Sequence, residues 1–182
     1  FYMNMGIAEQ NMAGVAAGMA SVGLIPWLSS FACFMTSRIL DQVRVTIAQP
    51  NLNVKLAGSY SGILAGKTGK THIDVSDLAV MRAMPNMVVV APADWLECRL
   101  ATIALTDRPG PAYLRLYREN SPTIFGEDYR FEVGKAVTVR EGADLTVFST
   151  GAHTLRALEA CDLLAVEGVR AHLVHVHTLK PI

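Results

Sequence analysis

From Asn11 to Ser37 the chain carries no charged residue, and the spacing of its apolar positions changes within that run. The stretch from about Ala8 to Val22 is rich in alanine and glycine and reads as a buried small-residue helix. A turn at Gly23 leads to a buried strand, about Ile25 to Ser30. From Phe34 to Ala48, Met35, Ile39, Leu40, Val43 and Ile47 recur at helical spacing, and Pro50 ends that helix. Asn53 to Ala57 reads as a short strand, and Gly58 to Thr71 as a glycine-rich loop. Asp74 to Met84 is a short helix with Ser76 or Asp77 near its start as a cap. Met87 to Ala91 is a continuous apolar run, the pattern of a strand buried on both faces. Pro92-Ala93-Asp94 opens a helix to about Leu105, and Ala112 to Leu116 is a strand. After a polar, turn-rich stretch the alternation resumes. Strands are predicted at Lys135–Arg140, Leu145–Ser149 and Ala171–Val176, and a helix at Thr154–Val166.

The uncharged run is long enough to suggest a membrane span, which needs about 20 apolar residues. Gly14 and Gly18 add a GxxxG pair. The membrane reading fails because Gly23 and Pro26 interrupt the run and Ser29 and Ser30 follow. Phe1 opens the chain without a basic segment, so no signal peptide is visible. Strands alternating with helices predict an α/β fold, with parallel sheets and helices on both faces. Two segments are expected, 1–118 and a smaller 133–182, joined by a linker over 119–132. Both ends read as cut, the C-terminal one stopping right after a strand, which predicts a piece of a longer polypeptide or one subunit of an assembly.

Composition narrows the classes. The 182 residues are 51% hydrophobic and 18% charged, which suits a packed core and not a disordered chain. Sixteen basic residues balance sixteen acidic ones, so nothing in the charge points to nucleic acid or an anionic membrane. Cys33, Cys98 and Cys161 are odd in number and far apart, indicating neither a disulfide framework nor a zinc site, and a cytoplasmic setting is the expectation. The glycine-rich loop fails the test for a nucleotide-binding P-loop. With the required four residues between, the first glycine position is Ser61 for Gly66-Lys67-Thr68 and Leu64 for Gly69-Lys70-Thr71. Its most chemical residues are Tyr60 and His72. His172, His175 and His177 invite a metal reading, but no acidic third ligand is near them in the chain.

Asn4-Met-Gly-Ile-Ala-Glu-Gln-Asn-Met12 resembles the pyrimidine-domain signature of the transketolase family, which are thiamine-diphosphate enzymes. The resemblance runs on through Ser30-Phe-Ala-Cys-Phe34, Gly69-Lys-Thr-His72 and Met81-Arg-Ala-Met-Pro-Asn86. Ala91-Pro-Ala-Asp94, Tyr113-Leu-Arg-Leu-Tyr-Arg118 and Thr178-Leu-Lys-Pro181 continue it. It covers nearly all of the chain and is nearest to the C-terminal half of transketolases, including those made as two subunits. It implies a pyrimidine-binding domain over 1–118, followed by part of a C-terminal domain.

By position alone, Glu9 is either a helix-start carboxylate beside the macrodipole or a buried carboxyl with a raised pKa. The resemblance implies the catalytic carboxylate, which hydrogen-bonds the pyrimidine ring nitrogen of the cofactor while the cofactor serves as electron sink. It implies that Phe31 and Phe34 lie beside the pyrimidine, although core packing serves Phe31 equally well. It implies that His72 lies near cofactor and substrate, where an imidazole can move a proton or hold a hydroxyl. Arg118 corresponds to the arginine that grips the substrate phosphate. Arg115, three residues earlier on a strand, faces the other way.

Two positions depart from the family pattern. Thr68 stands where an acidic residue recognises a sugar hydroxyl, and Tyr60 where a histidine is common. Both fall on the expected substrate side. No Gly-Asp-Gly occurs in the chain. Thiamine diphosphate and its Mg2+ are therefore expected to need a diphosphate-binding domain or subunit of the same enzyme, within a homodimer or a two-plus-two heterotetramer. The implied activity is transfer of a two-carbon ketol unit between phosphorylated sugars. The alternatives are deoxyxylulose-phosphate synthase, a 2-oxoacid dehydrogenase beta subunit, or a non-catalytic interaction subunit.

Overall fold

Three strands, β1 (Trp27–Phe31), β2 (Lys55–Ser59) and β4 (Ala112–Arg115), run parallel in the order β1-β2-β4 in a computed structural model describing residues 1–182. The next strand is β3 (Val88–Val90), beside β4 and buried at every position. The apolar run predicted that burial. Strand β1, expected to be buried, is covered at Leu28 but open at Ser29. It stands at the edge of the order, so only one side has a neighbouring strand.

The helices are α1 (Glu9–Ser21), α2 (Leu40–Gln42), α3 (Asp77–Ala83), α4 (Trp95–Asp107) and α5 (His153–Val166). Helix α1 buries Ala13, Ala16 and Ala17, whereas Gly14 and Gly18 have open space around them. It is half-covered, not the wholly buried helix its composition suggested. The helix expected over Phe34–Ala48 is present, but most of it is wound in wide π turns, Phe34–Arg38 and Val43–Ala48, on either side of α2. Met35, Ile39, Val43 and Ile47 point inward, as their spacing predicted, whereas Leu40, expected with them, is exposed. A tight 3-10 turn, Ile63–Thr68, lies within the glycine-rich loop.

The chain divides into two compact units. The first comprises Phe1–Val89 with Leu105–Glu119, and the second Val90–Ala104 with Asn120–Ile182. In the first, Lys55 is fully buried and donates to the carbonyls of Arg108 (2.7 Å) and Gly110 (2.6 Å), tying the loop before β4 to β2. Burial and the charge of Arg108 bring its ammonium down to about 8. Gly58 is required by close approach, because a Cβ there would run into the ring of Tyr113.

The second unit holds β5 (Val137–Arg140), β6 (Leu145–Ser149), β7 (Ala171–His175) and β8 (Thr178–Lys180). Its three-stranded sheet has the order β5-β7-β6. β6 and β7 are parallel across α5, as expected, but β5 is antiparallel to β7, so this sheet is mixed. β7 alternates buried and half-buried positions and packs Leu173 against Cys161 of α5. Residues 119–132 do more than link. Ile124 and Phe125 donate backbone N–H groups to Asp94, and Tyr129 donates its hydroxyl to Glu97 at 2.5 Å. No helix is long and apolar enough to cross a membrane.

Candidate functional site

Parallel register brings the site together. Phe31 pairs with Ser59, so β1 and β2 end side by side and the residues beyond their C-terminal ends become neighbours. β4 ends in the same place, since Gly58 pairs with Arg115. In open α/β sheets, ligands bind at these carboxyl ends.

Tyr60 follows β2 directly, and its φ is 59°. A bulky residue in the left-handed region is an outlier of the kind that collects at functional sites. The conformation lays its ring on Phe31, centroids 4.4 Å apart. Phe31 and Phe34 lie 5.7 Å apart with parallel planes. The His72 ring meets both edge-on, at 5.4 and 5.2 Å. Arg118 reaches over the other ring of this group, its guanidinium carbon 5.3 Å from the Tyr60 centroid. Arg115, the last residue of β4, is engaged elsewhere. It makes a two-pronged pair with Asp77 at 2.8 and 3.2 Å, and Tyr113 donates to the same carboxylate at 3.0 Å.

The loop that carries His72 is anchored at Asp74. Its carboxylate accepts from the Thr36 hydroxyl and from both the N–H and the hydroxyl of Ser76, each of the latter at 2.7 Å. The Asp74 carbonyl accepts from Gly62 N–H at 2.7 Å. The Thr68 hydroxyl is engaged locally, donating to the Ala65 carbonyl at 2.6 Å. Burial and the charge of Asp74 push the Cys33 thiol up, so it is a poor nucleophile.

Glu9 is the first residue of α1. Gly6, with φ at 68°, turns the chain into that helix, and its N–H donates to the Asn4 side chain at 2.9 Å. Glu9 is only 7% exposed, the burial its surroundings predicted. The expected rise in its pKa is overturned. Burial pushes the carboxyl up, but the hydrogen bond from Arg38, its own backbone N–H, the Ser30 hydroxyl and the Arg38 charge together hold it below its ordinary value. Arg38 Nη1 lies 2.7 Å from Oε2, and Ser30 Oγ lies 3.1 Å from Oε1. The guanidinium also covers the ring of Phe34, 3.8 Å from its centroid. Arg38 was not among the expected site residues. Its sequence signal is modest: it is the first charge after the uncharged run.

These residues suit one half of a bound heterocycle. A buried carboxylate can engage a ring N–H, and Phe34 and Phe31 offer flat apolar faces beside it. His72 and Arg118 border the same aromatic group. Elsewhere, His175 is paired with a distant acid, Glu97, at 2.8 Å, and with the Thr154 hydroxyl at 2.7 Å. No group of three histidine, cysteine or acidic side chains is placed to hold a metal ion.

Residues 1–123 match the family model of the transketolase pyrimidine binding domain, and residues 134–182 that of the transketolase C-terminal domain. The chain is 42% identical over 179 residues to the 6-deoxy-6-sulfo-D-fructose transketolase subunit of Clostridium sp. (strain MSTE9), covering 98% of this chain and 56% of that protein. It is 35% identical over 182 residues to an apulose-4-phosphate transketolase subunit of Phocaeicola vulgatus, covering 100% of this chain and 58% of that one. A solved split-gene transketolase, an inactive beta4 tetramer, superposes with a TM-score of 0.91 at 43% identity, over 99% of this chain and 58% of that chain. The chain thus spans a little more than half the length of these relatives. By both domain matches and by the arrangement of its strands, it belongs to the transketolase family.

Proposed function

We propose that this chain supplies the pyrimidine-binding half of a thiamine-diphosphate site that transfers a two-carbon ketol unit between phosphorylated sugars. The observation that carries this reading is the buried Glu9 carboxylate beside the Phe34 ring, reached through one shared neighbour, Arg38. When bound, the cofactor supplies the electron sink that lets a carbon–carbon bond beside a ketose carbonyl break and re-form.

Glu9 holds and shares a proton with the pyrimidine ring nitrogen, and Ser30 fixes the rotamer of its other oxygen. Phe34 and Phe31 present flat, dry faces to the ring. His72 holds or moves a proton at a substrate hydroxyl, its ring fixed by the two phenylalanine edges and by Thr71, 2.8 Å from Nδ1. Arg118 grips the sugar phosphate, and Tyr60 stacks beneath that guanidinium. The Thr68 hydroxyl, already committed to Ala65, is a weak substitute for an acid that grips a sugar hydroxyl. The preferred sugar therefore departs from the common ketose phosphates at that position. The two relatives above, named for a sulfo-sugar and for apulose 4-phosphate, support that departure.

The diphosphate and its Mg2+ are held by a partner domain or subunit of the same enzyme, in a homodimer or a two-plus-two heterotetramer. A cytoplasmic setting suits sugar phosphates and three free cysteines.

The test is an assay of the complete assembly with thiamine diphosphate, magnesium and a panel of ketose phosphates. Ketol transfer is expected, falling at least about 100-fold in Glu9→Gln with the fold retained, the scale of a lost proton-transfer group. Wild-type turnover in Glu9→Gln contradicts the reading. Absence of transfer with every donor favours an interaction subunit, and carbon dioxide release from pyruvate favours a decarboxylating relative.

A further inference from the structure

One side chain holds both features that the pyrimidine needs. The Arg38 guanidinium donates to Glu9 at 2.7 Å and lies 3.8 Å from the centroid of the Phe34 ring. A guanidinium is flat, cationic and edged with N–H donors. A protonated heterocycle offers the same combination: a flat face for the phenylalanine and an N–H for the carboxylate. At 3.8 Å from the centroid, no second planar group fits between them on that face. We propose that Arg38 stands in for the pyrimidine, occupying its seat on Glu9 and Phe34 until the cofactor displaces it.

The surroundings allow that exchange. Arg38 ends the first wide-turn segment, and its carbonyl accepts from the Gln10 side chain at 3.2 Å, which anchors the backbone to α1. Its side chain is 40% exposed and lines two open clefts. One, about 590 Å³, includes Gln10, Asp41 and Arg44. The other, about 540 Å³, includes Cys33, Ser37 and Lys70. The guanidinium can leave by rotation about its own bonds, and in the first cleft the Asp41 carboxylate, which already accepts from Arg44 on Oδ1 at 2.7 Å, has its second oxygen to offer. Its departure also removes a hydrogen bond and a charge that help hold the Glu9 carboxyl down, leaving burial opposed only by the backbone N–H and the Ser30 hydroxyl. Arg38 thereby keeps Glu9 and Phe34 in one arrangement and the buried carboxylate compensated.

The inference rests on the assignment of Glu9 and Phe34 to the pyrimidine, and its test separates the two. The probe is 4-amino-5-hydroxymethyl-2-methylpyrimidine, titrated calorimetrically into the full-length polypeptide. Wild type, Arg38→Met, Arg38→Lys and Glu9→Gln are compared, with Glu9→Gln also combined with Arg38→Met. Arg38→Met should bind the probe about tenfold more tightly, the scale of one half-exposed ion pair plus one cation–π contact. Arg38→Lys, which keeps the charge but loses the flat fork, should fall between them. Equal or weaker binding in Arg38→Met, with Glu9→Gln still reducing binding, overturns the stand-in and leaves the assignment of Glu9 intact. Binding insensitive to Glu9→Gln overturns the assignment and the stand-in together.

Discussion

Arg38 donates to Glu9 across 2.7 Å although 29 positions separate them in the chain. The pair changes what a buried glutamate means here. Burial alone favours the neutral acid, whereas the guanidinium and its companion donors favour the carboxylate and prevail. The acid–base character of Glu9 is therefore set by Arg38, the backbone N–H and Ser30 acting against burial.

Phe34 should matter more to binding than to folding. It is half-buried and shares its face with Arg38. Phe34→Leu keeps bulk but loses the aromatic face, worth about 0.5–1.5 kcal/mol beyond burial. Cofactor affinity in the complete assembly should fall by about two- to tenfold, with a smaller loss in unfolding free energy. Equal losses in both measurements would return Phe34 to the core.

Asp77 should behave in the opposite way. It is fully buried, holds Arg115 with both oxygens and accepts from Tyr113. Asp77→Ala leaves a largely buried guanidinium unpaired, which costs about 3–5 kcal/mol. Urea unfolding should show that loss, and Arg115→Met in the same chain should recover part of it. A change below about 0.5 kcal/mol, the level of an ordinary surface substitution, contradicts the structural role.

His177 should make stability depend on pH. Burial brings its imidazole down to about 4, with Glu97 opposing the shift and His175 reinforcing it. The unfolded chain takes up this proton below about 6.5. The native chain does so only near 4. The unfolded state therefore binds more protons in that window, so stability is complete above 6.5 and is lost as pH falls toward 4. His177→Phe should flatten the slope between those values. Glu97 works in a lower window. Burial raises its pKa, but the His175 hydrogen bond and charge, Tyr129 and the Ala93 N–H together lower it. Its contribution is present above the unfolded carboxylate value and is lost below it. A slope unchanged by His177→Phe contradicts the assignment.

The main elements were legible because their patterns are local. Val88–Val90 is a bare apolar run and became a strand buried at every position. Met35, Ile39, Val43 and Ile47 recur at helical spacing and all point inward. The same spacing did not distinguish π from α winding, because both put those residues on one side. The antiparallel placement of β5 was hidden as well, since strand direction depends on which neighbour a strand finds.

Six expected site residues, Glu9, Phe31, Phe34, Tyr60, His72 and Arg118, border one aromatic group at the strand ends or meet it through Arg38. Their joint placement follows from parallel register, which motif order tracks. Arg38 was not legible, because no charge lies near Glu9 on its C-terminal side in the chain and the guanidinium arrives through the fold. The Glu97–His175 pair was hidden for the same reason, with 78 positions between its members.

The most direct test of the whole account is a structure of the complete assembly with thiamine diphosphate and magnesium bound. A Glu9 oxygen should lie within hydrogen-bond distance of the pyrimidine ring nitrogen, with that ring on Phe34 and Arg38 turned away. A pyrimidine seated elsewhere, with Glu9 still paired to Arg38, would contradict it.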